Sequence, residues 1–409
     1  MELYKREQYL KKIRGFYHSD DLIKVITGVR RCGKSSLMQT ISDELVMSGV
    51  KVQNIIYIDL DRRGYRNIKK ADQLDELIAK YDNIEGMKYL FIDEVQNVTG
   101  FEDVLNGFRS EGGWSIFITG SNSYLLSGEL VTKLTGRYLE FEMFPLTFEE
   151  YLQMKEFYNI KTDDNMAAAL NSYIMEGGFP RTLFFEDQAD KQTYVQGVIS
   201  EIFEKDIKKR VKIRDRESFE AVQKFIINNF GGTTSINGLC ESLRKNGMTI
   251  TKPTVSRYVK VLLDAKILYE CSRFDLKSKK SLGGEKKYYL ADLSFYFSQN
   301  TDNRINYGPT LENMVYIYAR MYGYSVSIGK IGKLECDFIL RGKDKQYSYV
   351  QVAYTIALSK DTEDREYRPL EKIKDNYPKY VATTDYLLQK RNGIHHVNLI
   401  DFMKEGKTF

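Results

Sequence analysis

The sequence predicts an α/β protein. A parallel, phosphate-binding sheet comes first, then helices, then a three-helix-and-hairpin module and a second, smaller α/β region. Three observations predict it. A β-branched strand runs directly into Gly28-x-x-x-x-Gly33-Lys34-Ser35 and a helical pattern, and four more continuous apolar runs follow. Three helical patterns between residues 217 and 265 are succeeded by two strand patterns. Beyond residue 301 the order becomes helix, three strands, polar helix, strand.

The first strand pattern, 22–27, ends at Gly28, and "SLMQTISDELV" continues as an amphipathic helix. Both glycines permit backbone conformations that turn amides inward, so residues 28–36, with Arg31, Cys32 and Ser36 among them, can wrap phosphates. Lys34 is placed to meet the β- and γ-phosphates and Ser35 to ligate Mg²⁺, with the helix N-terminus favouring the negative charge. The implied ligands are ATP and Mg²⁺. Cys32 reads as a tolerated small residue of the loop.

The runs at 54–60, 88–94, 114–121 and 137–144 have the unbroken apolar character of buried parallel strands. "KYLFIDE" ends in two acids: Asp93 can join the Mg²⁺ shell and Glu94 can polarise an attacking water. The next run ends in "TGSNS", which places Asn122 to orient that water. This order of strand, acids, strand and Asn favours hydrolysis over binding alone.

After a helical stretch to about residue 210, patterns at 217–230, 236–246 and 252–265 precede a hairpin across "KSKKSLGGEKK", with Gly283-Gly284 expected at its tip. This is the winged helix-turn-helix plan. Its third helix carries Arg257 and Lys260 away from the apolar face, and Lys277, Lys279, Lys280, Lys286 and Lys287 form a basic wing for phosphates. DNA is the expected partner, and a protein–protein spacer is the alternative.

The α-β-β-β-α-β order of the last third is the core of a restriction-endonuclease-like fold. The polar helix is expected at "RPLEKIKDNY" and the last strand at "KYVATT". Glu312, Asp337 and Gln351 are the candidate ligands of a second metal site. Ala353, however, stands where such nucleases carry a lysine, with Lys333 and Lys360 the nearest replacements along the chain. A degenerate domain that binds rather than cuts is therefore expected, with an active nuclease as the alternative.

The motifs "GVRRCGKSSLM", "FIDEVQNV", "ITGSNSYLLS", "LTGRYLEFEMFPLTFEEYL" and "GGFPR" resemble the prokaryotic AAA+ ATPases of the archaeal-ATPase type. So do "ECDFIL", "VQVAY", "KIKDNYPKYVAT" and "GIHHVNLIDF". The resemblance implies an AAA+-like core over 1–150, a helical lid over 151–213, the winged helix over 214–300 and the nuclease-like domain over 301–409. It makes 28–36 the Walker A loop, Asp93-Glu94 the Walker B acids and Asn122 the sensor-1 residue. Arg137 becomes a candidate arginine finger reaching a neighbouring subunit, which implies a homo-oligomer, and Arg181 a candidate lid arginine.

The net charge of +5 is too mild to specify a nucleic-acid partner by itself. The four cysteines lie far apart without a CxxC pair, which argues against zinc and disulfides and fits a reducing cytosol. The charged start and the lack of long apolar windows lead to an expected cytoplasmic location with no membrane association. A nucleotide switch acting on protein partners, without DNA, is the remaining reading.

Overall fold

The computed structural model describes residues 2–120, 134–208, 211–213, 215–300 and 304–409. It divides into two compact units, Met1–Met143 and Phe144–Phe409.

The first unit is built on five parallel strands: β1 (Ile23–Gly28), β2 (Ile55–Asp59), β3 (Lys88–Asp93), β4 (Trp114–Thr119) and β5 (Tyr138–Met143). They lie in the order β2-β3-β4-β1-β5. The uninterrupted apolar runs are explained by burial: all six residues of β1 and of β4 are buried. Among the described residues four α-helices accompany the sheet: α1 (Glu7–Ile13), α2 (Lys34–Met47), α3 (Ala71–Ala79) and α4 (Phe101–Glu111). Leu74, Ile78, Leu105 and Phe108 of the last two helices share a core with Val25, Ile58, Leu90 and Ile116 of the strands. Because β1 sits between β4 and β5, the crevice for a ligand opens beyond its carboxyl end, where the chain crosses over.

The second unit begins with α5 (Phe148–Phe157), α6 (Met166–Glu176) and α7 (Gln188–Glu201), the last passing into a π-helical turn at Ile202–Ile207. Thr147 starts α5 through a reciprocal capping box with Glu150. Then come α8 (Arg216–Asn228), α9 (Ile236–Lys245) and α10 (Lys252–Asp264), each capped by an Asp, Ser or Thr side chain, as their sequences predict.

A mixed nine-stranded sheet completes the unit. Its strands are β6 (Thr233–Thr234), β7 (Leu268–Asp275), β8 (Lys280–Leu290), β9 (Ser325–Ile331), β10 (Leu334–Arg341), β11 (Tyr347–Val352), β12 (Lys379–Thr383), β13 (Lys390–Arg391) and β14 (Ile394–Asn398). They run in the order β13-β14-β12-β11-β10-β9-β7-β8-β6, accompanied by α11 (Ser294–Gln299), α12 (Tyr307–Met321), α13 (Lys360–Glu371) and α14 (Leu399–Lys404).

The second unit differs from the sequence expectation in several places, beginning with the short strands β6, β13 and β14, which no pattern announced. The β7–β8 hairpin is not a free wing: Arg273, Phe274 and Asp275 pair in parallel with Ile328, Gly329 and Lys330 of β9. That pairing covers an edge that would otherwise be left open.

The hairpin turns at 276–279 rather than at Gly283-Gly284. Ser278 N–H donates to Asp275 Oδ1 at 2.7 Å, and Lys279 takes the left-handed conformation at φ 55°. The two glycines fall instead where the β7–β8 register shifts, between Cys271 and Arg273.

The polar helix begins earlier than expected, at Lys360, because Ser359 caps it. Tyr367 and Leu370 anchor it on the core before "KIKDNY" leaves it as a loop. Among the described residues no helix is long and apolar enough to cross a membrane.

Candidate functional site

The phosphate-loop sequence folds locally into a strand, a tight loop and a helix whose first residue is Lys34. Gly28 is demanded by its surroundings: at φ 141° an added Cβ would lie 2.2 Å from Met143 O and 2.9 Å from Cys32 Sγ. Gly33 sits at φ 108°, and Arg31 also takes the left-handed conformation. Cys32 is fully buried beneath the loop, where burial raises its thiol pKa, as befits a packing residue. The buried Lys34 donates from Nζ to Gly28 O at 3.0 Å and Val29 O at 3.3 Å, so its ammonium lies along the inside of the loop. Ser35 and Ser36 are exposed at the start of α2.

Sheet order brings the acids to this loop. The neighbouring strands β3 and β4 end at Asp93 and Thr119. Asp93 accepts from the Thr119 hydroxyl, and the Ser35 side chain of the loop stands near enough to favour its charged form. Burial pushes the Asp93 carboxyl up, against the pull of Ser35 and Thr119. Hydroxyl and carboxylate oxygens facing one space are the hard donors that Mg²⁺ prefers, so the residues fit that ion.

Glu94 follows in the left-handed conformation at φ 58°, its N–H donating to Thr119 Oγ1 at 3.2 Å. Its carboxylate lies 3.5 Å from the Arg30 guanidinium and accepts from Gln96 Nε2. Thr119, Arg30 and Gln96 escaped the sequence reading. Thr119 alone left a trace, as the polar residue closing an apolar strand.

Two expected members do not join this group. Asn122 lies outside the described residues. Arg137 precedes β5, and since Ile23 pairs with Tyr138 in the parallel register, it stands at the opposite end of the strands from Gly28. Six strand residues separate those ends, about 20 Å. Its guanidinium is exposed and donates to Asn106 Oδ1 at 3.2 Å, so within its own chain it does not reach the loop.

In the second unit, "GGFPR" has a packing role. A Cβ on Gly177 would stand 2.0 Å from Asp292 Oδ1, and one on Gly178 would stand 2.3 Å from Leu146 O. Gly178 N–H donates to Asp292 Oδ2 at 2.7 Å. Burial pushes Asp292 up to about 6. Arg181 is exposed and stacks over Phe184 and Phe185, at 5.8 and 5.5 Å from the ring centroids.

Glu312, Asp337 and Gln351 do gather, with companions the sequence did not announce. Asp337 Oδ2 accepts from Val352 N–H at 2.8 Å. The Gln351 amide accepts from Asp337 N–H at 3.3 Å and donates to Glu366 Oε2 at 2.9 Å. Into this group comes Lys287 from β8, 2.9 Å from Glu312 and 3.2 Å from Glu335. Tyr289 OH adds a bond to Glu312 at 3.1 Å.

Lys287, expected on an exposed wing, is thus buried, and its ammonium stands among these carboxylates where Ala353 offers none. The expected substitutes do not serve. Lys333 is exposed, and Lys360 pairs on the surface with Glu363. Burial opposes the charge of Lys287, but Glu312, Asp337 and Glu335 together hold its pKa above the ordinary lysine value. Burial and then Glu312 push the Asp337 carboxyl well above the usual range, with Lys287 opposing.

Of the other basic candidates, Lys286 is half-buried against Glu270 at 2.6 Å. Lys277, Lys279 and Lys280 remain exposed at the turn. On α10, Val255, Tyr258 and Val259 are buried while Arg257 and Lys260 are exposed. Arg257 donates to Lys212 O at 2.6 Å.

Fold and loop together define a P-loop domain of the AAA class, and residues 20–152 match the model of that family, the AAA domain (AAA_14). Residues 167–303 match a domain of unknown function, DUF8612. The chain belongs to the family of an uncharacterized protein of Haemophilus influenzae, with 34% identity over 401 residues, 97% of this chain and 98% of that one. It is 31% identical over 363 residues to the uncharacterized protein MJ1544 of Methanocaldococcus jannaschii, covering 86% of this chain and 79% of that one.

Among solved structures it is similar to the Walker-type ATPase of Pyrococcus abyssi, at 15% identity and a TM-score of 0.49, over 72% of this chain and 95% of that one. The Aeropyrum pernix ORC1 protein in complex with DNA gives 14% identity and a TM-score of 0.35, over 73% and 93%.

Proposed function

We propose that this protein is an ATP-hydrolysing AAA+-type ATPase that works in association with DNA. The observation that supports hydrolysis most directly is the pair of acids at the end of β3, Asp93 held by the Thr119 hydroxyl and Glu94 next along the chain, beside a loop that carries the buried Lys34 ammonium. In this reading the loop amides and Lys34 hold the phosphates, and Ser35 and Asp93 hold Mg²⁺. That ion, when bound, neutralises charge on the phosphate oxygens. Glu94 accepts the proton of an attacking water. Arg30 is itself part of the loop, so arriving phosphate competes with Glu94 for its guanidinium.

Glu94→Gln keeps the side chain's size and removes its basicity. It is expected to bind ATP normally and to lower turnover by about 10²–10⁴-fold, checked by phosphate release beside an equilibrium nucleotide titration. Substantial residual hydrolysis would remove Glu94 from this role. Measuring the same turnover with and without duplex and single-stranded DNA tests the partner. Exposed Arg257, Lys260, Lys277, Lys279 and Lys280 are the support for DNA. Arg137, remote from its own loop, suits a role in a neighbouring subunit of a homo-oligomer.

For the nuclease-fold region we favour binding over cutting. Lys287 returns an ammonium to the cluster, which is the observation that favours the nuclease reading. Yet Gln351 spends its carbonyl on Asp337 N–H, and Lys287 bridges two of the carboxylates. Among the described residues, no group of three or more His, Cys, Asp or Glu is placed to hold a metal. Supercoiled plasmid with Mg²⁺ or Mn²⁺ and ATP is expected to stay intact. Nicking that disappears in Asp337→Ala would reverse this assignment.

A further inference from the structure

The side of the nine-stranded sheet where the β7–β8 turn meets β11 carries an open cleft of about 450 Å³, within the size range of small-ligand pockets, about 300–1,000 Å³. Its walls are aromatic. Tyr347 and Tyr377 meet edge to face with centroids 5.4 Å apart, and Phe274 and Tyr349 line the same space. Phe274, Tyr347 and Tyr377 are half-buried and pack against the core formed by Cys336, Ile339, Tyr349 and Tyr367. The aromatic surface therefore has a firm backing.

The rim is basic. Lys277 and Lys279 approach from the turn, and Lys372 and Lys374 from the loop after α13. All four are exposed, and among the described residues none of their side chains has an ion-pair or hydrogen-bond partner. Some lysines elsewhere in the unit are paired, among them Lys286 with Glu270, Lys287 with Glu312 and Lys360 with Glu363. The one carboxylate at the cleft, Asp375, is already engaged by Tyr349 OH at 2.6 Å and Lys379 Nζ at 3.3 Å. The opening thus presents uncompensated positive charge around rings.

We propose that this cleft binds a single-stranded stretch of nucleic acid, an unstacked base resting on Tyr347 and Tyr377 and the flanking phosphates on the four lysines. A duplex keeps its bases stacked inward and cannot use the rings, whereas a single strand offers flat faces and phosphates in alternation. The proposal rests on the reading of the chain as nucleic-acid-associated and narrows it to a strand type and a place.

The test is fluorescence anisotropy of the full-length protein with a labelled single strand of about 16 nucleotides, as DNA and as RNA, beside a duplex of the same length. Either single strand is expected to bind more tightly than the duplex, and the preferred sugar identifies the source of the strand. Tyr377→Ala is expected to weaken single-strand binding about tenfold. Tyr377→Trp keeps a stacking surface and is expected to retain it. Lys372→Glu with Lys374→Glu, both on the exposed rim, is expected to reduce the salt slope by roughly 1.4, about 0.7 for each lost contact.

Duplex binding as tight as single-strand binding, unmoved by these changes, would overturn the cleft while leaving the DNA-associated ATPase standing. No binding to any of the three probes would overturn both.

Discussion

Lys34→Ala is expected to weaken ATP binding by at least a hundredfold, in a titration with a fluorescent ATP analogue. Lys34 brings a buried ammonium to the inside of the loop, held by two carbonyls of the loop itself. Truncating one partner of a buried, hydrogen-bonded charge pair costs about 2–5 kcal/mol, and each 1.4 kcal/mol is tenfold in affinity. Because the two carbonyls are its recorded partners, the fold should survive, and an unchanged melting profile would show that binding was lost at the site. Lys34→Arg should also be impaired: its planar fork is larger than the compact ammonium and differently directed. Wild-type affinity in Lys34→Ala would sink the placement of phosphate in this loop.

Lys287→Met is expected to lower the unfolding transition of the C-terminal unit by roughly 10 °C. The side chain is 8% exposed and lies between Glu312 and Glu335, with Asp337 behind. Removing it leaves the part-buried Glu312 and Glu335, and the buried Asp337 behind them, without their counter-charge, a loss of about 3–5 kcal/mol. A shift of about 2–4 °C per kcal/mol follows for a domain of this size. Combining Lys287→Met with Glu312→Leu should recover much of the loss, since replacing a whole buried pair with apolar groups is often neutral. Calorimetry of the single and double variants checks both steps. A lysine merely covering the surface, as an exposed wing residue would, should shift the transition hardly at all.

The two sites differ in how much of them the sequence displays. The phosphate loop is contiguous: strand, glycines, lysine, serine and helix follow within fifteen residues, and each has a local conformational reason. The acids at the end of β3 were legible for the same reason, since a strand carries its end to a known edge of the sheet. Thr119, Arg30 and Gln96 were not, because which side chains meet Glu94 depends on the order β3-β4-β1 and on Glu94's left-handed backbone.

In the C-terminal unit the hairpin strands, β9 to β12 and the helix at Tyr307–Met321 followed from the sequence patterns, whereas β6, β13 and β14 did not. The start of α13 and the site of the hairpin turn did not follow from them either. Ser359 and Asp275 decide those locally, through caps and turns that compete with stronger-looking signals from Gly283-Gly284 and from "KIKDNY".

The stretch "LECDFIL…VQVAY" shows the division most clearly. By itself the sequence determined that Asp337 and Gln351 lie on successive strands and that Ala353 cannot supply a cation. Only the tertiary structure decided that the ammonium beside these carboxylates is that of Lys287, 66 residues before Ala353. Pairing of β7 with β9 and packing of Glu312 against Lys287 set that encounter, and neither leaves a local pattern. Periodicity reports which face of an element is buried, whereas the partner that buries it is chosen by sheet order, which acts across the whole unit.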